Sequence, residues 1–403
     1  MKRYLCSIII GMVVILSIGT YYVKVASSAS SLPKYTFKTL EGSDKELDPV
    51  IINATLQKGS TFYEPLTIES NTTTYASERS YLENLTGRQD HLIVRLVKEH
   101  RSFMRGKDSI SSLYEDDDFL AYAWVNSDIT NNGKMEAKFD IGLLEKKDEE
   151  ETSFQIELPN QGRIMNIDVR DVQLVHSKLQ VLTMNDVNSN NEKQTKEVHL
   201  YTIDVANKKV LSDKTLVSET FTDPNRVDFE MPIDVAPSQP NNMVLISLIK
   251  GVNHEDGFKE KLKESKLLSY NYETEKLETV KKGSLSLDMA RSGYADGKNL
   301  YAVEMKSGKY RVKTFDLSSQ TLTSDTELDI AANKEEQYTA AFKNGRVYFL
   351  LNGINQDGLL TYKPAKLLIA DIKTGKTLYK GETVINKKNS KGFELYFDAL
   401  EIK

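Results

Sequence analysis

Cysteine is almost absent from this chain. The one residue of this type, Cys6, lies in an apolar N-terminal stretch. The remainder therefore holds no disulfide, no thiolate nucleophile and no Cys-based zinc site. A domain of this size can be stable without disulfides because it buries a large core. Histidine is scarce, and His91, His100, His176, His199 and His254 show no metal-ligand spacing. The sequence contains no G-x-S-x-G, no H-E-x-x-H and no phosphate-cradling glycine loop, which leaves it without a catalytic signature. Lys and Arg form no dense block and the formal charge is −5, which argues against nucleic acid as the main ligand. Apolar residues make up 39 %, below the globular average, beside 28 % charged residues, a balance that suits sheets with many polar loops.

What is present begins with one long apolar run. Leu5 to Val23 carries no charge over 19 residues, about 28 Å as a helix. Lys2 and Arg3 precede it, and Tyr4 and Tyr21-Tyr22 flank it as interfacial anchors. The expectation is an N-terminal transmembrane helix, residues 1–30 forming cytoplasmic tip, signal-anchor and tether, with residues 31–403 an extracytoplasmic domain. A cleaved signal peptide and secretion is the alternative, since Val25-Ala26-Ser27 and Ser28-Ala29-Ser30 offer small residues at a cleavage site.

The rest of the chain repeats a hairpin module. Ala341-Phe342, the turn Lys343-Asn344-Gly345-Arg346, and Val347 to Leu351 make one hairpin. Asn-Gly between apolar runs is a strong hairpin signal because that turn needs positive φ. After the polar stretch Asn352 to Ala365, Lys366 to Ala370 returns, turns at Asp371 to Lys376 and leaves as Thr377-Leu378-Tyr379. Similar units surround Asp316, Asn271 and Asp204, with a weaker copy at Ala137 to Asp140. These turn residues stand 64, 67, 45 and 55 residues apart in chain order from Asp140. This pattern resembles the β-propeller repeat, with blade spacing stretched by insertions. The resemblance covers roughly residues 100–380 and implies an all-β fold of six or seven four-stranded blades. The run Phe393 to Ile402 pairs, in this reading, with N-terminal strands among Thr36–Leu40, Val50–Leu56 and Leu66–Glu69. His91 to Val97 is expected as a buried strand, with a helix as runner-up. Pro232, Pro237 and Pro240 mark a loop.

In a four-stranded antiparallel blade the connections after strands two and four share one end. Asn126–Lys134, Asn185–Lys196, Gly251–Ser265 and Asn352–Ala365 all follow a second strand, so the long loops share a rim where binding is expected. One of them fits the spacing of a calcium loop: Asp186, Asn188, Asn190 and Glu197 offer oxygen ligands, with Asn191 in the glycine position. An ordinary exposed loop is the competing reading. The acidic run Glu115 to Asp118 is expected as a solvated turn. Asn53, Asn71 and Asn84 open N-x-T triplets, which carry no glycan if this lysine-rich, cysteine-poor chain is bacterial. No cofactor is expected beyond the calcium candidate. The functional expectation is a membrane-anchored, non-catalytic propeller that binds a protein partner or envelope component. The alternative is an extracytoplasmic hydrolase or lyase with its site over the propeller channel.

Overall fold

A computed structural model describes residues 10–17, 19–20, 32–79, 90–129, 135–188, 193–253, 260–280, 293–332, 336–353, 364–385 and 392–403. Strands dominate. In chain order they are β1 (Tyr35–Gly42), β2 (Val50–Lys58), β3 (Phe62–Glu69), β4 (Thr72–Tyr75), β5 (Leu113–Glu115), β6 (Phe119–Ile129), β7 (Met135–Glu145) and β8 (Glu150–Glu157). There follow β9 (Ile164–Val175), β10 (Lys178–Asn188), β11 (Gln194–Asp204), β12 (Lys209–Phe221), β13 (Asn225–Glu230), β14 (Ile233–Asp234), β15 (Met243–Asn253), β16 (Glu260–Asn271) and β17 (Lys276–Thr279). The last are β18 (Tyr294–Ala295), β19 (Asn299–Lys306), β20 (Lys309–Asp316), β21 (Thr321–Ala331), β22 (Glu336–Lys343), β23 (Arg346–Gly353), β24 (Lys366–Asp371), β25 (Thr377–Ile385) and β26 (Glu394–Ile402). One α-helix, α1 (His91–Glu99), precedes β5.

These strands form six sheets. Sheet I has the order β26-β2-β3-β4, sheet II β5-β6-β7-β8, sheet III β12-β11-β10-β9 and sheet IV β13-β15-β16-β17. Sheet V is β14-β18-β19-β20-β21 and sheet VI is β1-β25-β24-β23-β22. Each is built on an antiparallel meander of consecutive strands, the repeat unit of β-propeller architectures. The third strands of sheets III to VI end at Asp204, Asn271, Asp316 and Asp371, the turn residues of the sequence pattern. Their carboxylate or amide oxygens accept the backbone N–H three residues on, in Asn207, Thr274, Ser319 and Thr374. This closes each turn locally. Asp140 is a correction: it pairs with Trp124 and Gln155 in mid-strand, and the equivalent strand end is Glu145.

The chain divides into two compact units, one of residues 1–91, 305–310 and 327–403, the other of 92–304 and 311–326. In the first, the two ends of the chain exchange strands. The C-terminal β26 pairs with β2, as expected, while the N-terminal β1 adds to β25. The outer edge of β1 is then covered by side chains of sheet I. Thr73 Oγ1 accepts the Tyr35 N–H at 2.8 Å and donates to the Tyr35 carbonyl. Asn71 bonds both the N–H and the carbonyl of Phe37. A strand edge that would template further pairing is thereby satisfied. Gly42 ends β1 with φ +88°, and a Cβ there would lie 1.9 Å from the Leu378 carbonyl oxygen, so only glycine fits. The core joins Ile52, Leu56, Leu66 and Tyr75 to Tyr35, Tyr348, Leu367 and Tyr379. The other face of β23 is also buried: Phe349 stacks on Tyr310 with ring centres 5.1 Å apart. Burial on both faces explains the unbroken apolar run Val347 to Leu351.

In the second unit successive sheets pack face to face. Alternation along each strand sends Val181, Tyr201 and Ile203 of sheet III toward Phe139 and Ile141 of sheet II. Leu182, Val198 and Leu200 go the other way, toward Ile246, Leu268 and Tyr270 of sheet IV. Leu245 and Leu267 of sheet IV meet Leu300 and Phe315 of sheet V. The far face of sheet II, with Leu120, Tyr122 and Leu144, is covered by Ile93, Leu96, Phe103 and Met104. The stretch His91 to Val97 is thus helix, not strand. Ile93 and Leu96, three residues apart, bury one stripe, and Arg95 pairs with Glu99 across one turn at 2.7 Å.

The long loops are a second correction. β10 and β11 pair down to Asn188 and Gln194, and β15 and β16 down to Asn253 and Glu260, so most residues read as loop are ladder. The expected loop 352–365 lies largely outside the described residues. So does most of the apolar run 5–23. Residues 10–17 and 19–20 of it are helical, and Ile15 and Leu16 are exposed at 71 % and 67 %. Among the described residues, no helix is long and apolar enough to cross a membrane.

Candidate functional site

Asp186 and Glu197 of the calcium pattern are not brought to one point. Asp186 is opposite Lys196 and Glu197 is opposite Asn185, so the two carboxylates project from opposite faces of the β10–β11 ladder. Asp186 lies 3.9 Å from Lys196 Nζ. Glu197 accepts from Ser218 at 3.0 Å and bonds His199 Nε2 at 2.9 Å. Asn188 forms the last rung with Gln194, and Asn190 lies outside the described residues.

Titratable side chains gather instead at the other end of the strands, where the turns are short. Asp171 follows a bulge in β9: Leu182 faces Asp171 and the next residue, Thr183, faces Val169, leaving Arg170 unpaired. Such bulges re-aim side chains. The Asp171 carboxylate accepts from Tyr272 Oη at 2.6 Å and from Gln173 Nε2 at 3.0 Å. Tyr272 is fully buried just past the end of β16. Gln173, also buried, accepts the Asn241 N–H at 2.9 Å. Asn241 in turn donates to Asp234 Oδ2 at 3.4 Å, while Asp234 Oδ1 accepts the Ala236 N–H at 2.8 Å. Asp296, in the turn from β18 to β19, accepts from Tyr301 Oη at 2.7 Å and from the Asn299 N–H at 2.6 Å. Gly297 lets this turn close on Asn241, because a Cβ there would stand 2.3 Å from Asn241 Oδ1.

The electrostatics of this group are unusual. Burial pushes the Asp171 carboxyl up, against the opposing hydrogen bonds of Tyr272 and Gln173. The surrounding protein pushes Asp234 up to about 6, with the charges of Asp171 and Asp296 adding. Asp171 is only half-buried and Asp234 is exposed, so both keep contact with water. Among the described residues, no Lys, Arg or His side chain bonds to any of the three carboxylates. The hydroxyl of Ser238, buried in the loop between Asp234 and Asn241, has no hydrogen-bond partner.

A second cluster lies within sheet III. His199 Nδ1 is 2.6 Å from Asp213 and Nε2 is 2.9 Å from Glu197. Two carboxylates on the two ring nitrogens require both to carry protons. Burial opposes that charge, but the bonds to Asp213 and Glu197 outweigh it and raise the proton affinity of the ring. His199 therefore joins β11 to β12 through its two carboxylate partners, and the Thr215 hydroxyl lies 3.4 Å from its Nε2.

At the long-hairpin end, a cavity of about 290 Å³ is lined by Gln194, Lys196, Phe221, Asp223, Arg226 and Asp228 among others. Its charges are matched. Lys196 and Arg226 both bind Asp228, at 2.7 and 2.5 Å.

Sequence reasoning missed the group. Asp171 lies in mid-strand without a motif, and the proline-rich stretch carrying Asp234 reads as a plain loop.

No protein-family model and no curated protein matches the chain. Among solved structures it is similar to the polysaccharide lyase Uly1, at 10 % identity and TM-score 0.36, over 68 % of this chain and 56 % of that one. It is similar to TolB from Acinetobacter baumannii at 11 % identity and TM-score 0.28, over 84 % and 64 %. A substituted ACO/RPE65 chimera shares 8 % identity at TM-score 0.41, over 87 % and 92 %. The chain thus spans less than two thirds of the length of the first two. Likenesses this distant carry neither activity nor fold to this chain, whose repeat architecture stands on its own strand order.

Proposed function

We propose that the protein is a six-bladed, membrane-tethered binding propeller whose carboxylate group, Asp171, Asp234 and Asp296, receives a cationic group of its ligand. The observation that carries this reading is three crowded, water-accessible carboxyls with no basic side chain bonded to them. An ammonium or guanidinium placed among them supplies the missing charge and makes charge-assisted hydrogen bonds. A lysine or arginine of a protein partner, or an amino sugar of the envelope, has this chemistry. The tether is supported by the uncharged run Leu5 to Val23 and by the exposed apolar side chains of helical residues 10–17. The positive flank Lys2-Arg3 favours an extracytoplasmic domain.

Calorimetric titration of the purified full chain tests the site. Lysine amide, arginine amide and glucosamine are compared with norleucine amide and glucose. Binding of a cationic probe, lost in Asp171→Asn with Asp234→Asn, is expected. Equal behaviour of cationic and neutral probes would reject the reading. Protease added to intact spheroplasts should digest the domain, and a protected domain would reject the orientation.

One observation favours a second reading. A carboxyl near pKa 6 beside another whose proton affinity is raised is also the equipment of an acid–base hydrolase or lyase. Cleavage of a glycan or peptide probe that vanishes in Asp234→Asn would favour that activity over simple binding.

A further inference from the structure

Far from that group in sequence, a third set of side chains converges in the N- and C-terminal unit. Asp90 and His91 open α1, and Glu401 lies near the end of β26. His91 Nδ1 is 3.0 Å from Glu401 Oε2 and 3.5 Å from Asp90 Oδ1. Both carboxylates thus approach the same ring nitrogen. Among the described residues, this is the one place where three such ligand atoms lie within 4.8 Å of one another.

Part of the arrangement is explained by the helix. Glu401 Oε2 also accepts the His91 N–H at 3.0 Å, which satisfies one of the free donors of the first turn. One carboxylate suffices for that purpose. It does not account for a second carboxylate on the same imidazole nitrogen, or for the support behind Glu401. Its Oε1 is held by Asn53 Nδ2 at 2.5 Å, and Asn53 is buried. Asn53 Oδ1 accepts from Thr67 at 3.0 Å, and Thr67 Oγ1 accepts from Arg79 at 2.5 Å. A relay that fixes the distal oxygen and leaves the proximal one aimed at an imidazole is how outer-shell groups orient metal ligands.

We propose that Asp90, His91 and Glu401 bind a divalent transition ion of the zinc or manganese class. The ion binds at Nδ1 between the two carboxylates, and any proton on that nitrogen leaves to solvent on binding. An imidazole nitrogen with two carboxylate oxygens suits such ions better than calcium, which takes oxygen ligands throughout. Three protein ligands leave further positions for water. A cation here ties Asp90 and His91 to β26, so the expected consequence is stabilisation of the fold around that strand.

The test uses the purified full chain, stripped with chelator and titrated with Zn²⁺, Mn²⁺, Co²⁺ and Ca²⁺. Zn²⁺ or Mn²⁺ should raise the melting temperature while Ca²⁺ does not, since a ligand selective for the folded state stabilises it. Co²⁺ should develop visible absorption bands from a nitrogen-containing site. Both responses should be lost in His91→Gln, which keeps a hydrogen-bond donor, and weakened in Asn53→Ala, which leaves all three ligands in place. If His91→Gln itself melts early, the cobalt spectrum of the folded variant at low temperature still decides. No metal-dependent shift in the wild type, or a shift and spectrum unchanged in His91→Gln, would overturn the site.

Discussion

The two ends of sheets III and IV differ in how they treat charge. At the long-hairpin end acids meet bases: Asp228 holds Lys196 and Arg226, and Glu219 holds Lys250 at 2.7 Å. At the short-turn end Asp204 also meets a base, Lys178 at 2.6 Å, but Asp171, Asp234 and Asp296 bond amides, phenols and backbone N–H groups instead. The long hairpins attract attention in the sequence because their length varies. Length variation by itself costs little, since loop closure depends weakly on loop size. Crowded carboxyls without a bonded base are costly to maintain, and that is why the proposed site is put at the short-turn end.

Substitutions at the two ends sharpen this contrast. The largest effect is expected where both ends share a core. Leu182, fully buried between sheets III and IV, should cost roughly 2–5 kcal/mol as Leu182→Ala in chemical denaturation. A loss much below that range would mean that the sheets do not pack as described, and the contrast between their ends would lose its frame. Tyr272→Phe deletes one buried hydroxyl and leaves Asp171 without its short hydrogen bond. It should destabilise by about 1–3 kcal/mol at neutral pH. Asp228→Asn, at the opposite end, removes the acid from two basic partners that are about one third and one half exposed. Its cost should stay below about 1 kcal/mol and shrink in high salt. If Asp228→Asn proves more harmful than Tyr272→Phe, the long-hairpin end is the strained one and the contrast is reversed.

Much of the fold was legible because its signals are local. Asn-Gly at 344–345 gives a hairpin, and Asp204, Asp316 and Asp371 mark third-strand turns through their own hydrogen bonds. The pairing of the C-terminal strand followed from an unpartnered apolar run near residue 400. Errors arose where a local pattern has two solutions. His91 to Val97 is a contiguous apolar run that fits a strand by composition, and the stripe Ile93–Leu96 decided for helix once sheet II needed a cover. Asp140 imitates a turn acid but lies five residues before the strand ends at Glu145. The edge caps Asn71 and Thr73 read only as members of an N-x-T triplet, because their partners, Phe37 and Tyr35, sit on a strand whose place in sheet VI is set by contacts at the far end of the chain. The carboxylate group was hidden for the same reason. Its members come from β9, β14, the residue just past β16 and the turn after β18, and no spacing rule links them.

The most direct measurement is the melting temperature of wild type and Asp234→Asn as a function of pH. The carboxyl of Asp234 titrates near 6 in the folded chain against an ordinary value of 3.8. A group whose folded proton affinity is raised favours the fold when protonated, so its contribution is complete below about pH 4 and is lost as pH rises through 6. The wild type should therefore lose stability relative to Asp234→Asn between pH 4 and 7, and the variant should melt higher at pH 7.5 while matching the wild type at pH 4. A variant that melts at or below the wild type at pH 7.5 would show that Asp234 has a compensating partner, and would contradict the reading of this end as an uncompensated acidic site.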